Sequence, residues 1–327
     1  MEATSVILLT GLQGLLYLAI APLAAGGLCW AKARLQGRQG PRPYQPYLDL
    51  WKLLRRRPVV PETSSWVFSA APFIAFGCYA LLGFLMPVVW LPGAHPPQGS
   101  PLSWPLGDLL AMVYLLGLAR FVMGLAGMDS GAPFGGLGSG REMFMHFLAE
   151  PTLVLIIFAL ALFAHATSLP GVLSVLQAAG LPGLFVSPPI WLIALSLALV
   201  TLLEAGRIPF DNPATHLELT MIGKAIHLEY AGYHLALIEW AEALRLTFFL
   251  TLVLNLFFPY LMGSSTATLI VNVGWALAYP LKLSVLLFLL AGWEMIWAKL
   301  RLRAVVGPAG LALVLASLAV VVVVLRF

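Results

Sequence analysis

Long apolar stretches alternate with short polar connections along the whole chain. About eight of them come near the roughly 20 residues that a helix needs to cross the hydrocarbon of a bilayer. Because lipid offers no hydrogen-bond partners to an open backbone, such stretches are expected to be helical. The predicted spans are 5–29, 66–91, 105–127, 148–167, 188–204, 236–261, 268–292 and 308–326. The pattern therefore predicts an all-α, polytopic integral membrane protein with about eight transmembrane helices.

Lysine and arginine lie in every second connection between the predicted spans. The first, third, fifth and seventh connections contain them, whereas the second, fourth and sixth (92–104, 168–187 and 262–267) contain none. Since basic residues are retained on the cytoplasmic side of a membrane, the odd connections are predicted to be cytoplasmic. Both termini are then predicted to lie on the outer side.

The first cytoplasmic connection contains an amphipathic segment at 44–54. Tyr47, Leu50, Trp51 and Leu54 recur at the spacing of one helical face, and a run of three arginines follows. We predict an amphipathic helix that lies in the cytoplasmic interface of the membrane. Such a helix serves either as a surface anchor or as the floor of a docking or ligand site.

Composition excludes several classes of function. The chain is 61% hydrophobic and 10% charged, which is too apolar for a water-soluble domain. Its two cysteines are too few for an iron–sulfur cluster, and no P-loop, zinc pattern or dinucleotide fingerprint occurs. We therefore predict no catalytic, metal-binding or cofactor-binding residue, and no nucleic-acid partner. Without a repeat or a composition break, residues 1–327 are predicted to form a single transmembrane domain.

Ionisable residues inside the spans, or at their ends, are the main indication of function. A charge at mid-bilayer costs at least ~2.5–3.5 kcal/mol on insertion scales, so each needs a compensating role. Neighbouring carboxylates and bases suit stepwise proton transfer, because burial raises the pKa of a carboxylate and a nearby base lowers it. Ion pairs that only join helices are the alternative. The candidate proton relay consists of Glu150, Glu204, Glu229, Glu239, Glu242, Arg120 and Lys282.

The fifth connection, between residues 204 and 232, has the densest set of polar residues. His216 and Glu218, then His227 and Glu229, form two His-x-Glu pairs. Histidine titrates near neutral pH, so these residues suit a proton relay or a hydrogen-bonding site. Ten residues separate the two histidines, and this spacing does not indicate a metal site.

The same connection also resembles a known family. Glu204-Ala-Gly-Arg-Ile-Pro-Phe-Asp211, then Glu218-Leu and Glu229-Tyr-Ala-Gly232, resembles the membrane subunit of respiratory complex I that forms its quinone chamber. The first connection agrees with that family in Gln39-Gly-Pro41, Gln45-Pro46, Asp49-Leu-Trp-Lys52 and Thr63-Ser-Ser65. The stretch that begins at Asp211, D-N-P-A-T-H-L-E-L, is more similar to the branch found in membrane-bound [NiFe]-hydrogenases of the formate hydrogenlyase type.

The resemblance implies a non-catalytic, ion-translocating connector in a prokaryotic cytoplasmic (inner) membrane. Its partners would be antiporter-like membrane subunits and a peripheral arm, built from hydrogenase large and small subunits and iron–sulfur subunits. Nickel–iron and iron–sulfur centres are then expected in the arm, and the translocated ion would be a proton or sodium. The arm-facing end, which would also bound any quinone-like site, comprises Arg141, Arg207, Asp211, His216, Glu218 and His227.

Two other functions stay open. One is a quinone-binding membrane subunit of a complex similar to NADH:quinone oxidoreductase, in which the fifth connection and the amphipathic helix bound a quinone tunnel. The absence of an acidic run after Asp211 weighs against it. The other is a stand-alone secondary transporter, which helices broken at mid-membrane would favour. Here the proline-rich break lies in a predicted cytoplasmic connection instead.

Overall fold

The computed structural model describes residues 2–91, 107–213, 221–259, 262–264 and 269–325. The helices are α1 (Glu2–Leu35), α2 (Gln45–Leu54), α3 (Trp66–Leu85), α4 (Leu109–Asp129), α5 (Pro133–Ala164), α6 (Leu169–Val186), α7 (Pro188–Glu204), α8 (Gly223–His227), α9 (Gly232–Phe257), α10 (Leu269–Ile296) and α11 (Val306–Leu325). A short 3-10 helix, Leu302–Val305, precedes α11. Strands β1 (Trp90–Leu91) and β2 (Gly263–Ser264) pair in parallel.

Six helices in the described part of the chain are long and apolar enough to cross a membrane: α1, α3, α4, α5, α10 and α11. Helix α7 is equally apolar but has only 17 residues, and α9 has 26. Helix α2 forms within the segment that was predicted to be amphipathic, with Trp51 and Leu54 exposed and Leu50 buried. The chain is thus a mostly helical, multi-pass membrane protein.

Two segments differ from the boundaries that hydropathy indicates. Helix α5 begins at Pro133 rather than near residue 148, so Arg141 and Glu150 lie on one helix. In its glycine-rich first turns Gly138 packs against α8, where an added Cβ would lie 2.7 Å from the Cβ of Ala225. Residues 168–187 were expected to be a turn, yet 169–186 form α6, with a break at Gly180 (φ 72°). This segment is apolar enough to pack against the bundle, but the break leaves only Leu169–Gly180 as an uninterrupted helix, which is too short to cross the membrane.

The basic connections meet at one end of the helix bundle. Asp129 at the end of α4 accepts hydrogen bonds from the backbone amide and hydroxyl of Ser65, each 2.8 Å long. Further along, Lys299 Nζ donates to Asp211 Oδ1 at 2.6 Å. The amide of Leu300 also donates to the carbonyl of Pro209. Contacts between the first and third connections, and between the fifth and seventh, therefore form one polar end.

The connections without basic residues meet at the opposite end. Gln13 Oε1 accepts from the backbone amide of Val88 at 3.2 Å, and Gln177 Nε2 donates to the carbonyl of Pro259 at 2.6 Å. The amide of Leu109 donates to the carbonyl of Thr167. The bundle is therefore asymmetric along its axis, as the alternating distribution of lysine and arginine requires.

Buried polar side chains cross-link the helices within the apolar core. The Tyr17 hydroxyl donates to the carbonyl of Leu244 at 2.7 Å, which joins α1 to α9. The Ser196 hydroxyl on α7 donates to the carbonyl of Ala312 on α11 at the same distance. Because lipid removes most of the hydrophobic driving force between helices, such bonds and close packing hold the bundle together.

Candidate functional site

A buried ion pair joins α4 to the end of α7. Arg120 Nη1 donates to Glu204 Oε1 at 2.6 Å, and the two side chains are only 5% and 0% exposed. His146 of α5 lies beside the pair, with its Nδ1 3.4 Å from Arg120 Nη1 and 3.9 Å from Glu204 Oε2. Three helices therefore contribute to one charged centre inside the bundle.

The charged centre continues through α5 to α9. His146 Nε2 is 3.5 Å from Glu142 Oε1, one helical turn away. Glu142 Oε1 is 3.7 Å from Arg245 Nη1, and Arg245 Nη2 is 3.7 Å from Glu242 Oε1. These side chains alternate between base and acid, so neighbouring groups along the series attract one another.

Helix α8 completes the series with a positive charge between two carboxylates. Lys224 Nζ donates to Glu239 Oε1 and to Glu242 Oε2, both at 2.8 Å. His227 Nε2 lies 3.2 Å from Glu242 Oε1. Burial would lower the pKa of Lys224, but the carboxylates of Glu242 and Glu239 outweigh it and raise the pKa above its ordinary value. The amine therefore stays charged at neutral pH.

The three acidic and imidazole groups around Lys224 also have the spacing of a metal site. Ligand atoms of His227, Glu239 and Glu242 lie within 4.8 Å of one another. However, the Lys224 ammonium already contacts both carboxylates and supplies the positive charge that a cation would bring. The arrangement is therefore an ion cluster in which Lys224 occupies the place that a metal cation would take.

A second set of charges lies across a shared cavity, where α10 ends. Glu294 forms an ion pair with Lys32 of α1, and its Oε1 is 4.0 Å from Arg207 Nη1. Asp211 pairs with Lys299 at 2.6 Å. Burial raises the pKa of the Asp211 carboxyl above its ordinary value despite this lysine.

The cavity between the two sets measures about 610 Å³. Glu204, Glu242, Asp211 and Glu294 all line it. Several buried polar atoms at its wall, including Glu204 Oε2 and Arg207 Nε, have no hydrogen-bond partner among the described residues. A buried polar group without a partner costs about 1–3 kcal/mol. The cavity therefore suits ordered water or the polar part of a ligand.

The predicted relay residues divide into two groups. Arg120, Glu204, Glu239 and Glu242 belong to the series of contacts just described. The other three are not linked to that series by the contacts above. Glu150 is exposed on the surface of α5, Glu229 is half-buried beside Gly135, and Lys282 Nζ lies 5.3 Å from the ring centroid of Trp275.

Four of the predicted arm-facing residues are described, and they lie at the polar end of the bundle. Arg141 donates to the carbonyl of Met221 at 3.0 Å, Arg207 and Asp211 line the cavity, and His227 joins the Lys224 cluster. The predictions for His216 and Glu218 lie outside the described residues.

The relay predicted from sequence did not include Glu142, His146 or Lys224. Glu142 and His146 are four residues apart on α5 and therefore share one face of that helix. A helix beginning at Pro133 would have shown this spacing, but the hydropathy boundary near residue 148 hid it. Lys224 needed the fold, because its partners are on α9.

Fold and site together define a multi-pass membrane protein whose interior carries a connected series of ion pairs beside a polar cavity. Residues 12–325 match the family described as NADH dehydrogenase. The chain belongs to that family, which includes subunit 1 (or H) of complex I.

Similar proteins point to membrane complexes related to complex I. Formate hydrogenlyase subunit 4 of Escherichia coli (strain K12) is 33% identical over 249 residues, which cover 76% of each chain. Hydrogenase-4 component C of the same organism is 32% identical and is matched over 76% of this chain and 74% of its own. NADH-ubiquinone oxidoreductase chain 1 of Ateles paniscus is 29% identical over 71% of this chain and 70% of its own. The protein is thus a membrane subunit of a complex I-related complex.

A solved structure shows the same fold. A chain in the structure of the membrane-bound sulfane sulfur reductase, an archaeal respiratory membrane complex, matches with a TM-score of 0.73 at 20% identity. The match covers 95% of this chain and 99% of the other. The helix arrangement is thus kept although four residues in five differ.

The Arg120–Glu204 pair predicts a strong and reciprocal effect on stability. Replacing Arg120 with Met leaves a buried carboxylate without its partner, and we expect a loss of ~3–5 kcal/mol. Adding Glu204→Gln should restore most of it, because neither charge then remains. Thermal unfolding of the purified complex measures both, with the exposed Arg301→Met as control. A double variant no more stable than Arg120→Met would contradict the pairing.

Asp211 predicts a pH-dependent contribution to stability. Because its pKa is raised above 3.8 in the folded protein, the folded state keeps a proton that the unfolded chain releases. Stability therefore falls as the pH rises from about 4 through the raised pKa. Asp211→Asn removes this fall. The melting temperature of the variant minus that of the wild type should therefore increase as the pH rises over that interval. A flat difference for Asp211→Asn would refute the raised pKa.

Proposed function

We propose that the chain is the connector subunit of a complex I-related, membrane-bound [NiFe]-hydrogenase. It would anchor a peripheral arm with nickel–iron and iron–sulfur centres to antiporter-like membrane subunits, and translocate protons in response to redox chemistry. The observation that carries this proposal is the continuous series of contacts described above, which we call the charged file. It consists of Arg120, Glu204, His146, Glu142, Arg245, Glu242, Lys224 and Glu239. From the Arg120–Glu204 pair to the Lys224–Glu239 pair, no step between neighbouring side chains exceeds 3.9 Å.

The charge balance of the file supports ion movement. Four carboxylates face three permanent cations, with His146 and His227 as the titratable groups between them. With both imidazoles neutral, the file has one excess negative charge. One proton or one sodium ion would balance it, so the file has room in its charge balance for a single exchangeable cation.

The fifth connection offers a mechanical link between the arm and the file. Helix α8 has only five residues and lies within this connection, and its Lys224 contacts two carboxylates of α9. A shift of α8 that withdraws the ammonium would favour protonation of one of those carboxylates. Return of the lysine would expel the proton towards His146 and Glu204.

The proposed placement in the membrane follows from the asymmetry of the bundle. The six long apolar helices, together with α7 and α9, would make eight spans, and α2 would lie in the interface. The end that holds the lysine and arginine residues would face the cytoplasm and receive the arm, in accordance with the positive-inside rule. Both termini would then face outward.

Neutral variants of the file test the relay. Glu242→Gln and the double variant Arg120→Met/Glu204→Gln, neither of which leaves a buried charge unpaired, should leave the complex assembled. Both should reduce proton movement per electron by about tenfold or more, because the exchanging carboxylate is lost. Proton uptake and redox turnover are measured together in proteoliposomes. Glu62→Gln, an exposed carboxylate away from the file, is the matched control. Normal coupling of proton uptake to redox turnover in both file variants would contradict the relay.

A quinone-binding subunit is the second candidate, and the 610 Å³ cavity favours it. Arg207 and Asp211 line this cavity and provide a donor and an acceptor for a quinone headgroup. The similarity to proteins named NADH-ubiquinone oxidoreductase chain 1 also supports the quinone-binding hypothesis. In that case redox chemistry would occur at the cavity itself rather than in a distant arm.

The subunits that co-purify with the tagged protein decide between the two candidates. The hydrogenase hypothesis predicts that nickel-containing and iron–sulfur subunits co-purify and that the purified complex produces hydrogen. Nickel-free partners with quinone-dependent oxidoreductase activity would instead establish the second candidate. Recovery of the chain alone, after crosslinking in the membrane before solubilisation, would contradict both.

A further inference from the structure

We infer that a groove between α1 and α10 binds an anionic phospholipid of the membrane leaflet at the basic end of the bundle. The groove is a cavity of about 240 Å³ and shares no lining residue with the charged cavity. It opens on the outer surface of the bundle, where Leu23 is 38% and Phe288 44% exposed. The inference does not depend on the connector function, because neither the ion file nor the arm enters it.

The lining of the groove suits an acyl chain. Small residues of α1, Ala24 and Gly27, leave a depression opposite Leu283 and Leu287 of α10. Ser284 is the one hydroxyl-bearing residue among the described lining, and its hydroxyl donates to the carbonyl of its own helix at Leu281, 2.7 Å away. Because the groove opens toward hydrocarbon rather than water, an acyl chain seated here gains mainly close packing against α1 and α10.

The basic end of the groove provides the charge for a headgroup. Trp30 and Phe288 meet edge to face at 5.9 Å and mark this end. The Arg34 guanidinium lies one turn further along the same face of α1, 5.4 Å from the Trp30 ring centroid. Arg42 precedes Pro43, which lines the groove, and donates to the Tyr44 hydroxyl at 2.6 Å.

The two arginines favour an anionic lipid over a neutral occupant. Both guanidinium groups are exposed and contact neutral aromatic partners, so their charge is available to a phosphate. Each basic residue near an anionic lipid surface contributes about 1 kcal/mol of attraction, which corresponds to about a fivefold factor in affinity. A zwitterionic lipid or an isoprenoid tail would fill the apolar part but would gain little from Arg34 and Arg42.

Photolabelling of the purified complex in nanodiscs tests the site. Phosphatidylglycerol with a diazirine in its acyl chain should label peptides of α1 and α10. A phosphatidylcholine probe with the same chain should label them about tenfold less. The variant Arg34→Gln/Arg42→Gln should abolish this preference for the anionic probe. Ser284→Phe, which places a ring in the groove, should abolish labelling of both helices by either probe.

Arg301→Gln/Arg303→Gln is the matched control, because it removes two exposed arginines from the same end of the bundle but outside the groove. It should keep both the labelling and the preference. Equal labelling by the two probes in the wild-type complex would overturn the proposal, as would labelling that Ser284→Phe leaves unchanged. Protection of the groove by a quinone analogue but not by unlabelled phosphatidylglycerol would also overturn it, in favour of an isoprenoid occupant.

Discussion

The buried pair between Arg120 and Glu204 is the interaction on which the rest of the interior depends. An isolated charge inside a bilayer-embedded bundle is expensive, so each member is tolerated only while the other is present. The pair brings α4 and the end of α7 together, and His146 brings α5 to the same point. The series of ion pairs through Glu142, Arg245 and Glu242 continues from this centre, and Asp211 and Glu294 line the cavity beside it.

The cost of burying charge also explains why the file alternates in sign. Glu142 on α5 lies between His146 and Arg245, and Glu242 on α9 lies between Arg245 and Lys224. Each group is thus stabilised by neighbours of opposite sign at 2.8–3.7 Å. A series of this kind is stable as a structure, and a change in one member alters the proton affinity of the next.

The fold separates this polar interior from the lipid-facing surface. Small residues let helices approach closely where the charges meet: Gly127 is next to Ser139, and Gly138 is next to Ala225. On the outside, the groove between α1 and α10 is apolar, with arginine only at one end. Charged groups are therefore distributed unevenly along the bundle axis, both in the interior and on the lipid-facing surface.

The membrane class, most span positions and the family could be predicted from the linear chain. Apolar length and the alternation of lysine and arginine are properties of the linear chain, and the motif from Glu204 to Asp211 is contiguous. Which charges meet could be learned only from the fold. Arg120 and Glu204 are 84 residues apart, and no linear pattern pairs them or brings Lys224 to Glu239. The start of α5 and the helical state of 169–186 were also decided by packing, because hydropathy records apolarity but not the neighbours that complete a helix.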